Sequence, residues 1–329
     1  MPKPILSICI PTKNRASNLQ NTLENITNEP IFQNTNKVQI VISDNCSDDE
    51  TQSTCLSFLG KYPDKIIYKR QIIDIQDKNF IEVLKLGEGK YLKLNNDNIY
   101  FFEGELEKFV NFLEREAHSE IIFLSNSNFN TSGIKECKNI DELLSEVSFF
   151  ITWIGGFCIN KELYETLENP DRYSNINFAQ VDILLRLLEE GNNVTIYGEY
   201  VIGNSYVNKK GGYNTAKVFG VNYLSIINEF YNRGSISTKV YERHKKALLK
   251  MQINRFCFNQ PYGFTFENDN YFKYLIPIYG KNLYFYIEYI KCKINNFFKL
   301  FFCIERDNVY RYIRIMFFTF KVKRNKGSI

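Results

Sequence analysis

Three apolar runs in the first hundred residues each stop at a polar cluster, and this repeated junction constrains the fold more than any other feature. Ile5-Leu6-Ser7-Ile8-Cys9-Ile10 gives way to Pro11-Thr12-Lys13-Asn14-Arg15. Val38-Gln39-Ile40-Val41-Ile42-Ser43 gives way to Asp44-Asn45-Cys46-Ser47-Asp48-Asp49, and Tyr91-Leu92-Lys93-Leu94 to Asn95-Asn96-Asp97-Asn98. Short, nearly continuous apolar runs mark central parallel strands buried on both faces. Between them lie helical patterns: Ser17 as a cap ahead of Leu19, Leu23 and Ile26; Thr51 to Leu59; and 77–87 with Phe80, Val83, Leu84 and Leu86 inward. A further strand spans Lys65 to Arg70. This alternation predicts βαβ units, an α/β fold and a mostly parallel sheet. Ligands of open α/β sheets sit at the carboxyl ends of the strands. A polar turn that tolerates left-handed backbone explains one such tip, but not three in succession.

Composition narrows the partners. The 329 residues suffice for one large domain or two modest ones. A net charge of +4 argues against a nucleic-acid binder, but the charge is uneven: from Lys281 onward eleven basic residues face three acidic ones, leaving the rest near −4. That basic, aromatic-rich end, with stretches such as Phe297-Phe298-Lys299-Leu300-Phe301-Phe302 and Tyr310-Arg311-Tyr312-Ile313-Arg314, reads as helices. It suits an anionic membrane surface through 281–329, or an oligomer interface between C-terminal helices. Eight scattered cysteines without a CxxC pair and only two histidines argue against a zinc site and fit reduced thiols in a cytoplasmic protein. The N-terminus lacks a signal-peptide layout, and no apolar run reaches the roughly 18 residues of a spanning helix, so the expectation is a cytoplasmic or peripheral inner-face protein.

The middle of the chain adds an amphipathic helix from Glu105 to Glu116, a strand at Ile121–Leu124 and a polar loop or hairpin over 125–140, with Asn126, Asn128, Asn130 and Gly133. Phe149 to Ile159 contains Trp153, Gly155 and Gly156; glycines permit close backbone approach to a ligand, and Trp153 either stacks on that ligand or packs in the core. Asp182 and Arg186 lie one helical turn apart, which allows a simple i,i+4 pair. After closing strands near 194–197 and 200–202, Lys209-Lys210-Gly211-Gly212-Tyr213 reads as a flexible basic loop, either a lid over an anionic ligand or solvated chain.

The succession ILSICIPTKNRASNLQNTLENI, VQIVISDNCSDDETQ and DKNFIEVLKLGEGKYLKLNNDNIY resembles family 2 glycosyltransferases of the GT-A fold, closest to the bacterial surface-polysaccharide, abequosyltransferase-like branch. The likeness covers 5 to about 105 well and 150 to 205 more loosely. It implies a catalytic domain at 1–215, a helical region at 216–329, a nucleotide-sugar donor and a glycan or lipid-linked acceptor. By that resemblance Pro11, Thr12, Asn14 and Arg15 line the base and ribose side, and Asp44 accepts from the base with Asn45, Ser47 and Asp48 beside it. Lys78 reaches a phosphate as a point charge, and Asn96 and Asp97 contact the donor. A carboxylate does read a pyrimidine N–H well; helix capping for Asp44 and a solvated helix face for Arg15 remain open. The family's Asp-x-Asp metal motif is here Asn96-Asp97-Asn98, one residue shorter than usual, with Asp97 and Asn98 as ligands for Mg²⁺ or Mn²⁺. Trp153, Gly155 and Gly156 correspond to a segment beneath the acceptor. Where the family places an acidic pair for an inverting general base, this chain has Ala179 and Gln180. Asp182 is then the carboxylate expected to take the proton. Loss of those acids keeps open a catalytically weakened, nucleotide-sugar-binding scaffold.

Overall fold

A computed structural model describes residues 3–115, 120–125, 133–205, 210–258, 264–267, 269–306, 310–315 and 318–323. The chain divides into two compact units, Met1–Asn208 with Asn222–Lys245, and Lys209–Val221 with Lys246–Ile329.

In the first unit β1 (Leu6–Thr12), β2 (Val38–Asp44), β3 (Ile66–Arg70) and β4 (Tyr91–Leu94) run parallel. Between them lie α1 (Ala16–Asn28), α2 (Pro30–Asn34), α3 (Thr51–Lys61) and α4 (Lys78–Leu86). There follow β5 (Ile99–Phe101), α5 (Glu105–Arg115), β6 (Ile121–Leu124), β7 (Ile134–Cys137) and α6 (Ile140–Val147). Then come β8 (Phe157–Asn160), α7 (Lys161–Glu165), α8 (Ala179–Glu189), β9 (Val194–Tyr197) and β10 (Ile202–Asn204). Eight strands form one mixed sheet in the order β3-β2-β1-β4-β8-β6-β9-β7, and β10 pairs with β5 outside it. Strand β8 is antiparallel to both its neighbours, and β7 to β9. The chain steps from β1 to β2 to β3 in one direction, then returns to lay β4 on the other side of β1. This reversal puts a switch point at the carboxyl ends of β1 and β4, the place where open α/β sheets form their ligand-binding crevice.

Every residue of β1 and β2 is buried, as their apolar runs predict. The core packs Ile8, Ile10, Ile40 and Ile42 against Leu19, Leu23 and Ile26 of α1 and Leu106, Phe109 and Val110 of α5. Local details differ from the sequence reading. Helix α1 starts at Ala16, whose N–H donates to Asp49 Oδ2 at 3.1 Å, so its first turn is satisfied from the second loop rather than by Ser17. Helix α4 turns Asn79, Ile81, Val83 and Leu84 inward instead of Phe80 and Leu86. Two hydrogen bonds between the Asn79 amide and Ser43, at 2.6 and 2.8 Å, set that rotation.

Helices α9 (Leu224–Asn232) and α10 (Thr238–Phe258) follow. The second unit pairs β11 (Lys210–Asn214) in parallel with β12 (Phe264–Glu267), then forms α11 (Tyr271–Tyr279) and α12 (Leu283–Phe301). Residues 210–214 are therefore a strand rather than a free lid; Lys209 lies outside the described residues. The end of the chain also corrects a helical reading. Strands β13 (Phe302–Arg306), β14 (Tyr310–Ile315) and β15 (Phe318–Lys323) form an antiparallel meander, and Tyr310-Arg311-Tyr312-Ile313-Arg314-Ile315 has a near period-2 alternation that suits a strand. Asn126, Asn128 and Asn130 lie outside the described residues, while Ile134–Cys137 forms the sheet's edge strand. Cys9, Cys46, Cys55, Cys137 and Cys158 are free thiols, but Cys292 is disulfide-bonded, against the expectation of reduced thiols throughout.

Candidate functional site

The crevice between β1 and β4 brings together two residues 85 positions apart: Thr12 Oγ1 donates to Asp97 Oδ2 at 3.0 Å. Arg15 Nη1 stands 3.8 Å from Asp97 Oδ1, and Thr22 Oγ1 of α1 donates to the Asp97 carbonyl at 2.9 Å. The turn carrying Asp97 closes through Ile99 N–H to Asn96 O at 3.1 Å. Asn98 is turned away: its Nδ2 donates to Ser205 O at 3.0 Å, and its carbonyl accepts from Ser205 N–H at 2.8 Å. Asp97 keeps 8% of its surface exposed.

The tip of β2 joins the same cluster. Thr12 and Asp44 are register partners, and Asn45 N–H donates to Thr12 O at 2.9 Å. Left-handed Asn14 (φ 52°) donates from its N–H to Ser47 Oγ at 2.9 Å and accepts from Asp48 N–H at 2.9 Å, interlocking the loops after β1 and β2. Asn45 pins the loop before α4, donating to Asp74 Oδ1 at 2.7 Å and accepting from Ile75 N–H at 2.8 Å. Lys13 Nζ donates to Asp74 Oδ2 at 2.6 Å, a bond that holds the Asp74 carboxyl below its usual range. Pro11 is buried in register with Ser43, and Lys78 is exposed as the first residue of α4.

Asp44 is enclosed by its neighbours. It has no exposed surface; Oδ1 accepts from Ser47 N–H at 3.0 Å, Oδ2 from Tyr68 Oη at 3.1 Å, and Arg70 Nε lies 3.6 Å away. Burial and the Asp44 charge push the Tyr68 hydroxyl up, so it remains a donor to the carboxylate. A base reaches Asp44 only if Tyr68 and Arg70 turn aside.

The acceptor-side residues are explained by packing. A Cβ on Gly155 would lie 2.6 Å from the Trp153 ring and 2.4 Å from Ile99, and one on Gly156 would lie 2.7 Å from the Phe123 ring. The missing side chains at these glycines make room for Ile99, Trp153 and Phe123. Trp153 is half-buried against the core. Gln180 Nε2 donates to Thr152 O at 3.1 Å, tying the start of α8 to this segment. Asp182 has no exposed surface and is clamped: Arg172 donates from Nε at 2.9 Å and from Nη2, and Arg186 Nε stands 3.0 Å away. Both arginines occupy the Asp182 carboxylate in this arrangement, so the i,i+4 pair with Arg186 that the sequence allows is formed. A different carboxylate comes to the start of α8, because Asn177 Nδ2 donates to Asp77 Oδ2 at 2.6 Å. Burial raises the Asp77 pKa.

No group of three or more His, Cys, Asp or Glu that could hold a metal exists among the described residues. Asp97 fits a hard cation as one oxygen ligand, which substrate phosphates would have to complete. Asn98 is anchored to Ser205 through its amide nitrogen, whereas a hard cation would take its amide oxygen. Thr22, Asp74, Asp77, Arg172 and Ser205 carry no local signature, since each acts through contacts distant in the chain.

Comparison with known proteins bears on this geometry. The family described as glycosyl transferase family 2 matches residues 7–179, more than half the chain. Abequosyltransferase RfbV of Salmonella typhimurium is 22% identical over 267 residues, covering 72% of this chain and 79% of that protein. Minor teichoic acid biosynthesis protein GgaB of Bacillus subtilis is 28% identical over 177 residues, 53% of this chain and 19% of its own length. Among solved structures, S. aureus TarS 1-349 in complex with UDP aligns with a TM-score of 0.57 at 11% identity, covering 96% of this chain and 98% of that one. Mannosyltransferase PcManGT from Pyrobaculum calidifontis, in complex with GDP-Man and Mn²⁺, aligns at 0.51 and 12% identity over 91% and 88%. At such identities the likeness shows a shared fold.

Proposed function

This chain belongs to glycosyl transferase family 2, and from that premise we propose that it moves a sugar from a nucleoside-diphosphate donor to an acceptor hydroxyl of a bacterial surface glycan. The observation that carries the reading is the Thr12–Asp97 contact at the reversal of strand order, with Arg15 beside it. Pro11, Thr12, Asn14 and the loop holding Asn45 and Ser47 form the nucleoside wall, while Arg15 exchanges from Asp97 onto the diphosphate. Exposed Lys78 supplies a second, mobile positive charge. A Mg²⁺ or Mn²⁺ held by Asp97 would neutralise the leaving diphosphate.

The transfer is proposed to invert the anomeric centre in one displacement, and the acceptor proton needs a carboxylate. Asp77 takes that role, since it alone of the two carboxylates discussed near α8 retains exposed surface. Burial raises its pKa, the direction that makes a carboxylate a stronger base. The acceptor is proposed to be lipid-linked and met at an anionic membrane surface. Supporting this, α12 exposes Leu283, Ile287, Ile290, Ile294 and Phe297 at helical spacing, with Lys281, Lys291 and Lys293 nearby. No helix among the described residues is long and apolar enough to cross a membrane.

Release of nucleoside diphosphate from a panel of UDP-, GDP-, CDP- and dTDP-sugars tests the reading. One donor should turn over with divalent metal, and Asp97→Asn should lower that turnover about 100-fold, the scale of one lost electrostatic contact in a transition state. Undiminished turnover in Asp97→Asn would overturn the site assignment.

A further inference from the structure

Strand β4 carries a lysine where its neighbours are apolar. Lys93 is 0% exposed, yet pairs in register with Ile8 of β1 and Cys158 of β8 in the centre of the sheet. Its Nζ donates to Asn95 Oδ1 at 2.7 Å and to Leu94 O at 3.1 Å, and lies 5.5 Å from the Phe101 ring centroid. The titratable groups facing it are the Cys9 thiol on β1 and the Cys158 thiol on β8; burial pushes both up, Cys158 to about 12, so both stay neutral. No carboxylate faces Lys93 among the described residues, and burial pushes its ammonium down to about 7. A buried amine without an anionic partner is costly to the fold. An apolar residue of similar length would serve packing better.

What Lys93 does hold is the turn of the donor site. Asn95 is fully buried; its N–H donates to Cys9 O at 2.8 Å, and its Nδ2 donates to Asn96 O at 3.0 Å and Ile99 O at 3.3 Å. Asn96 O and Ile99 are the two ends of the turn that presents Asp97. The chain of contacts is therefore Lys93 Nζ to Asn95 Oδ1, Asn95 Nδ2 to the turn, and the turn to Asp97. We propose that Lys93 is a positioning residue, fixing through Asn95 the turn that presents Asp97 to the donor diphosphate. Ammonium and neutral amine can each supply the two N–H bonds, so the positioning persists through the titration. The proposal rests on the donor-site reading given above.

Lys93→Met keeps the side chain's length and removes both donors. The expected result is a melting temperature equal to or above that of the parent, with nucleoside diphosphate and metal each binding about ten-fold more weakly by calorimetry, the scale of losing hydrogen bonds in a buried network. Asn95→Ala should weaken binding similarly, and the double variant should be no weaker than either single one. Should Lys93→Met fail to fold, Asn95→Ala carries the test alone. Unchanged binding in these variants, or weakening that tracks a fall in melting temperature, overturns the inference while leaving the donor site standing. If the parent protein binds no nucleoside diphosphate at all, the donor-site reading fails, and this inference with it.

Discussion

Replacing Asp182 by asparagine separates a carboxylate that holds the fold from one that takes a proton. Asp182 has no exposed surface and accepts from Arg172, with Arg186 Nε at 3.0 Å. Asparagine has nearly the same shape but no charge, and its amide nitrogen must face a guanidinium. Breaking a buried ion pair from one side costs about 3–5 kcal/mol. Arg172 is 30% exposed and keeps Glu229 at 3.2 Å, so water and that second partner recover part of the loss. The low end, about 3 kcal/mol, is therefore expected. For a unit of this size each kcal/mol moves the midpoint by about 2–4 °C, so Asp182→Asn should melt roughly 6–12 °C lower. Thermal denaturation by circular dichroism reads the shift, and donor turnover well below the new midpoint reads the chemistry. Turnover should stay within about three-fold of the parent once the protein is folded, because the hydroxyl to be deprotonated never meets Asp182. A midpoint moved by less than about 1 °C together with turnover reduced more than 100-fold would refute this reasoning and return Asp182 to the general-base role.

Other consequences can be measured directly. Asp77→Asn should remove the acidic limb of the kcat/KM profile: in the parent, activity falls as pH drops through the raised Asp77 pKa and the base becomes protonated, and a retained limb in the variant would exclude Asp77. Gly156→Ala forces a methyl to 2.7 Å from the Phe123 ring and should cost about 1–3 kcal/mol in denaturant unfolding; an unchanged midpoint would show the ring free to move. His244 is buried against the Tyr223 hydroxyl at 2.8 Å, and burial lowers its pKa to about 4. Its folded-state pKa lies below the unfolded value, so the stability it contributes is present above about pH 6.5 and is lost as pH falls toward 4, by about 3 kcal/mol in all. His244→Phe should flatten stability across that window, and an unaltered slope would place the dependence elsewhere. Replacing Ile287, Ile290 and Ile294 by serine should abolish flotation with phosphatidylglycerol vesicles without lowering donor turnover; undiminished flotation would disprove docking through α12.

The sheet was legible because strand burial is written in consecutive residues. Ile5 to Ile10 and Val38 to Ser43 need no tertiary information to be read as central strands, and their polar tips point to one end of the sheet. Individual roles were less legible, because they depend on where a side chain turns once the strands are in register. In sequence Asp44 and Asp182 can be either site carboxylates or structural ones, a cap and an i,i+4 partner of Arg186; the structure forms the latter pair, adds Arg172 to it, and sets Tyr68 and Arg70 against Asp44. Gly155 and Gly156 suggested room for a ligand, and that room is filled by Trp153 and Phe123. The C-terminal strands were misread because aromatic and basic residues suit a helix face and a strand equally when no apolar partner is known. Lys93 was hidden in plain sight as an apparent member of an apolar run.

The crevice compensates in geometry for what it lacks in charge. Where the resemblance leads one to expect two acids, Asn96-Asp97-Asn98 offers one, and a single carboxylate attracts a dication less strongly. The side-chain amides of Asn95 and Asn98 each have a structural duty instead. Asn98 is fixed to Ser205, Asn95 ties the turn to Lys93 beneath it, and the backbone of Asp97 is held by Thr22 of α1. Thr12 then sets the carboxylate itself. On the proposed reading, a carboxylate held from four directions would lose little conformational freedom on binding phosphate and cation, so less of the interaction would be spent on ordering it. This explains how the turn tolerates amides in place of acids: their hydrogen-bonding capacity, rather than their charge, is what presents Asp97 at the mouth of the β1–β4 crevice.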